Sequence, residues 1–155
     1  IVVGPQYDVR AQLHLKKEPV YTGRVDIMDW AAGVNLIGIG IAPLQDSLFN
    51  MSKSRLKVLE YSATGVPWVA SPSVEYRRFR AESGTGILAS SPPEWYRALR
   101  MLADSSSMRA EMTEAGWAFV VKETIERNAW RWWEAWTEAL EMERGNKPRG
   151  AGTSS

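Results

Sequence analysis

The 155-residue chain contains no cysteine, which removes disulfides and thiolate metal sites and is compatible with a reducing cytoplasm. It contains one histidine, His14, and no second histidine or close carboxylate pair to give metal-ligand spacing. No apolar run approaches the ~18 residues needed to span a bilayer, and the opening IVVGPQYDVR lacks the basic start and long apolar stretch of a signal peptide. The net charge is only +1, so no nucleic-acid-binding surface or acidic tail is suggested. There is no Gly-x-Gly-x-x-Gly: GIGIAP breaks the pattern, and no dinucleotide fingerprint can be claimed.

What remains is the composition of one globular domain, 45% hydrophobic and 24% charged. Tryptophan is abundant, with eight copies, five of them between Trp117 and Trp136. Trp130, Trp133 and Trp136 are spaced to line one helix side, a pattern expected to be packing surface. The chain opens on Ile1, inside what reads as a buried strand, and is expected to be cut from something longer.

Apolar runs and breakers divide the chain. IVVG (1–4), 19–25, 36–44, 68–71 and 86–90 read as strands. The run 36–44 is apolar throughout and suits a strand buried on both faces. Helices are expected at 27–34 with Asp26 as N-cap, at 52–64, at 74–82, and from Pro92 to Glu143 with breaks near 104–107 and 122–124. Gly65 is placed for a left-handed C-terminal cap, with Pro67 preventing continuation. Alternating strands and helices predict an α/β, Rossmann-like parallel sheet with helices on both faces and long C-terminal helices. Residues 1–143 are taken as one partial domain and 144–155 as a disordered tail. Ligands of such sheets bind at the carboxyl ends of strands, which points at the loops PLQDSLFNMS and SPSVEY.

On the helix 52–64, at about 100° per residue, Lys53, Lys57 and Glu60 share a face about 60° wide. Leu56, Leu59 and Ala63 fall on a neighbouring face that can pack on the sheet. A lysine in a helix's first turn opposes the dipole, at a cost of a few tenths to ~1 kcal/mol unless an anion is present. A phosphate would reverse the sign, and the carboxylate of Glu60 could accept from two adjacent hydroxyls of a ribose. Lys–Glu spacing on an ordinary solvated helix face explains the same residues and, on spacing alone, is the more economical reading.

The run 39–71, IGIAPLQDSLFNMSKSRLKVLEYSATGVPWVAS, strongly resembles the C-terminal, donor-binding domain of GT-B-fold glycosyltransferases of the retaining family 4 / group 1 type. The matching pattern is FN-x-x-KS-x-x-K-x-LEY-x-x-x-G-x-P-x-V-x-S. The resemblance extends through YTGRVD (21–26) upstream and the closing helices downstream, over roughly residues 19–137. It implies a cytoplasmic transferase that takes a sugar from a nucleotide diphosphate sugar without a metal or other cofactor. By resemblance, Glu60 binds the ribose hydroxyls. The loop Asn50, Met51, Ser52 and Lys53 holds the diphosphate and sugar through backbone N–H groups. Lys53 and Lys57 favour the diphosphate, and Arg24 and Val25 lie near the base. No catalytic residue is assigned. Two departures stand out. Ser52 occupies the position, eight before Glu60, where many members carry a glutamate on the sugar. The N-terminal acceptor domain and this domain's opening strand–helix unit are missing, so the chain alone is expected not to turn over. The alternatives are a non-catalytic domain binding a partner through the tryptophan-rich helix, and a GT-B-fold sugar-nucleotide epimerase.

Overall fold

Glycines and prolines punctuate short β-branched runs along the middle of the chain, and there the parallel sheet forms. The computed structural model describes residues 9–12, 14, 16–20, 23, 25–26 and 28–145. The expected strand 1–4 and nearly all of the expected tail lie outside them. The chain divides into two compact units, Ile1–Val121 and Lys122–Ser155.

In the first unit the described elements are α1 (Val9–Gln12), α2 (Trp30–Asn35), β1 (Gly40–Ala42), α3 (Leu48–Met51), α4 (Leu56–Ala63), β2 (Trp68–Ala70), α5 (Val74–Ser83), β3 (Ile87–Leu88), α6 (Pro92–Asp104) and α7 (Ser106–Val120). The three strands are parallel in the order β1-β2-β3, with Gly40 beside Trp68 and Val69 beside Ile87. Each connection carries a helix, as parallel pairing requires. Side chains alternate across β2. Trp68 and Ala70 enter a core with Val58, Tyr61, Tyr76 and Phe79. Val69 enters a second core with Ala89, Ala98 and Leu102. Helices therefore cover both faces of the sheet, as the alternation of elements predicted. The architecture is mixed α/β and compatible with a Rossmann-like fold.

Local chemistry sets the boundaries. Ser91 and Glu94 form a capping box, with prolines in the first turn of α6. Ser105 caps α7 by accepting from the Met108 N–H, which is why the DSSS run is a break. Gly65 adopts φ +72°, and the Val66 N–H returns to the Tyr61 carbonyl to close α4.

Several expectations are corrected. The run 36–44 yields only Gly40–Ala42, because Leu36 ends α2; Ile41 is 45% exposed, so the strand is not buried on both faces. The helix expected at 27–34 starts at Trp30 behind Asp29. Asp26 instead accepts from the Met28 N–H in the preceding turn. At the described positions of 19–25 there is no strand beyond a bridge at Gly23, and Val20 is exposed.

The most consequential correction concerns 52–64. Its first turn does not form. Ser52 Oγ donates to the Phe49 carbonyl at 2.8 Å, and the Leu56 N–H donates to Ser54 Oγ. Serines compete with helical bonding in this way, so a turn at 52–55 separates α3 from α4. The buried face of α4 is Val58, Tyr61 and Ser62; Leu56 and Ala63 are exposed and Leu59 is half-buried. Small contacts decide this rotation. Ser62 sits against Gly116 of α7, where an added Cβ would lie 3.2 Å from the Ser62 Cβ, and Ser62 Oγ accepts from the Trp68 indole at 3.1 Å.

The second unit is dominated by α8 (Ile125–Gly145). Asn128 Nδ2 folds back on the carbonyls of Lys122 and Thr124 at its start. Trp130, Trp133 and Trp136, expected in packing, are all exposed.

Candidate functional site

The loops leaving β1, β2 and β3 at their carboxyl ends are tied together. The Leu44 N–H donates to Ser71 Oγ at 2.9 Å, the Ser71 N–H to the Ala42 carbonyl, and the Ala89 N–H to the Ala70 carbonyl. Arg77 Nε donates to the Pro72 carbonyl at 2.9 Å, bracing the loop before α5. These ties frame two clefts that share Leu44. The first, about 410 Å³, is lined by Asp46, Asn50, Met51, Ser71, Ser73, Arg77 and Ser90 among others. The second, about 450 Å³, lies between the end of β1 and α4, and is lined by Lys53, Ser54, Lys57, Glu60, Tyr61 and Tyr76. Both loops singled out from the sequence contribute to the first cleft.

Lys53, Lys57 and Glu60 therefore do share a cleft, but not by sharing a helix face. Lys53 stands in the turn before α4, its ammonium 5.2 Å from the centroid of the Phe49 ring. The argument from an uncomfortable cation in a helix's first turn accordingly does not apply to it. Lys57 lies in the first turn of α4. Its Nζ donates to Glu60 Oε2 at 3.0 Å and lies 5.1 Å from the Trp30 ring centroid. The pair is partly exposed, so its own contribution to stability is small, a few tenths of a kcal/mol. The start of α4 receives no side-chain cap from Arg55.

Two tyrosines form the inner wall. Tyr61 donates its hydroxyl to the Ile41 carbonyl at 3.0 Å, and its ring lies over Gly40. Burial pushes its hydroxyl pKa upward; the charge of Glu60 adds to the rise, and the bond to Ile41 works against it. Tyr76 is shifted upward by burial and then by Glu60. The carboxylate of Glu60 is thus felt across the cleft.

The loop 50–53 is arranged differently from the expectation. The Asn50 N–H donates to Ser47 Oγ, the Met51 N–H to the Ser47 carbonyl and the Lys53 N–H to the Asn50 carbonyl. These backbone donors serve the loop itself, and what it presents is side chains. Asn50 and Met51 line the first cleft and Lys53 the second; Ser52 lines neither. Val25 is half-buried and lines neither cleft, and Arg24 lies outside the described residues. Tyr61, Arg77 and Ser90 were not singled out, and Ser71 and Tyr76 only as the ends of the loop SPSVEY. The usable signal was position, since each follows a strand end directly or sits on the helix after one. Among the described residues no group of acidic or histidine side chains could hold a metal ion, and no helix is long and apolar enough to cross a membrane.

Two ammonium groups, a carboxylate and aromatic walls at strand ends can hold an anion and a hydroxyl pair side by side. No protein-family model matches the chain, and no curated protein matches it.

Proposed function

We propose that this chain is the donor-binding part of a GT-B-fold glycosyltransferase of the family 4 / group 1 type, acting in the cytoplasm. The single observation that supports it best is the cleft at the end of β1, where Lys53, Lys57 and Glu60 meet against Tyr61 and Tyr76. In this reading the lysines take the diphosphate and Glu60 exchanges its bond from Lys57 for the vicinal hydroxyls of the ribose. The first cleft, entered past Leu44, receives the sugar against Asn50 and Met51. As the sugar leaves, charge builds on the diphosphate, and fixed ammonium groups stabilise it. The acceptor would be bound by a domain outside this chain, so this chain alone binds donor without turning it over. A non-catalytic interaction domain is the second reading, favoured by the exposed tryptophans of α8.

Titration with nucleoside diphosphates, followed by tryptophan fluorescence through Trp30 beside Lys57, tests the reading. Loss of a charge-assisted contact is worth about 1.5–3 kcal/mol, so Lys57→Ala and Glu60→Ala should each weaken binding about tenfold or more. Wild-type binding matched by both variants would show that the site lies elsewhere. Absence of wild-type binding at millimolar ligand would remove the donor-binding reading.

A further inference from the structure

The helix α8 carries a pattern that the nucleotide-sugar reading does not use. Ile125, Asn128, Trp132, Ala135, Ala139 and Met142 recur at alternating spacings of three and four, the spacing that keeps one seam along a paired helix. Within that seam only Asn128 is polar, and its side-chain amide is satisfied at the helix start. Trp132 and Met142 are exposed, at 66% and 64%. Trp132 also leans on Trp136 one turn on, ring centroids 6.2 Å apart. Arg131 and Glu138 stand immediately before Trp132 and Ala139, on the same flank and seven residues apart. Neither has an ion-pair partner among the described residues; Arg131 only rests on the Trp130 ring, 5.6 Å from its centroid.

We infer that α8 is a homodimerisation helix that pairs antiparallel with α8 of a second copy of this chain. Charge and size both select this occupant. With Arg131 opposite Glu138 of the second copy, the two-fold axis repeats the pair, giving two reciprocal ion pairs. The same register sets Trp132 opposite the gap between Ala135 and Ala139 of the second copy, so a large side chain meets two small ones on each side. Parallel pairing instead puts Trp132 against Trp132 and brings Glu138 beside Glu143, a like-charge contact. Residues 125–133 of α8 carry Glu126, Arg127 and Arg131, a net charge of +1, whereas residues 134–145 carry Glu134, Glu138, Glu141, Glu143 and Arg144, a net charge of −3, so the two ends attract head to tail. The inference uses no residue of the strand-end clefts and does not depend on their reading.

The test is sedimentation of the full chain across the micromolar range, with circular dichroism to verify that helix content is kept. The wild type should dimerise. Arg131→Glu alone and Glu138→Arg alone should each weaken the dimer about tenfold or more, and the double variant R131E/E138R should restore it, since the swapped charges again face each other. Trp132→Ala should weaken it without changing the clefts. A wild-type monomer at every concentration overturns the inference. So does a dimer indifferent to the single changes, or a double variant no better than the singles.

Discussion

Gly40 is the residue on which the site's inner wall rests, and replacing it with alanine is a sharp test of the packing. Its backbone pairs with Trp68 on β2, and the Tyr61 ring lies directly over it. A Cβ built there would sit 2.8 Å from three ring carbons of Tyr61, including the one nearest the backbone. Ordinary carbon contacts begin at about 3.5 Å, so the ring must retreat by roughly 0.7 Å or more. It has little room, because Tyr61 is buried and its hydroxyl is anchored on the Ile41 carbonyl. Overpacking of this kind costs about 1–3 kcal/mol, and loss of the anchoring bond adds about 1 kcal/mol. Gly40→Ala should therefore cost about 2–4 kcal/mol in urea unfolding followed by tryptophan fluorescence. The control is the same change in a Tyr61→Ala background. If the ring contact is the cause, the two changes couple and the cost of the added methyl falls below about 1 kcal/mol. An equal cost in both backgrounds, or a cost below about 1 kcal/mol in the wild type, refutes the reasoning.

Gly86→Ala should be at least as severe, about 2–5 kcal/mol by the same assay, since Gly86 has φ +88° and its added Cβ would fall 2.1 Å from the fully buried Trp68 ring. Ser62→Ala should cost about 1–3 kcal/mol by leaving the buried Trp68 indole N–H without its acceptor. Tyr61 and Tyr76 have folded pKa values raised above 10.0, so the stability that rests on their neutral hydroxyls is complete below that value. It is lost as pH rises through the folded values; alkaline unfolding should begin above about pH 10. Because Glu60 contributes to both rises, Glu60→Gln should shift the tyrosinate absorbance titration to lower pH, and an unchanged titration would rule out that coupling.

Much of the fold was legible because its signals are local. Gly65 and Pro67, Ser91 with Pro92 and Pro93, and the serines before Met108 each act within a few residues, so those helix ends stand where the sequence puts them. The grouping of Lys53, Lys57 and Glu60 was legible as well, since residues this close in sequence beside a strand end stay close in space. Their geometry was not. Leucine spacing chose one face of α4, whereas the ring of Tyr61 on Gly40 and the contact of Ser62 with Gly116 turned another face inward. Those contacts join residues 21 and 54 positions apart, and no local periodicity carries them. The tryptophans of α8 show the same limit, because spacing marks a face as apolar without saying what covers it. Local signals along the chain specify the alternation of elements, the caps and the chemistry available at the strand ends. Only tertiary packing decided which faces are buried and which clefts the polar groups line, because those follow from steric fit between segments distant along the chain.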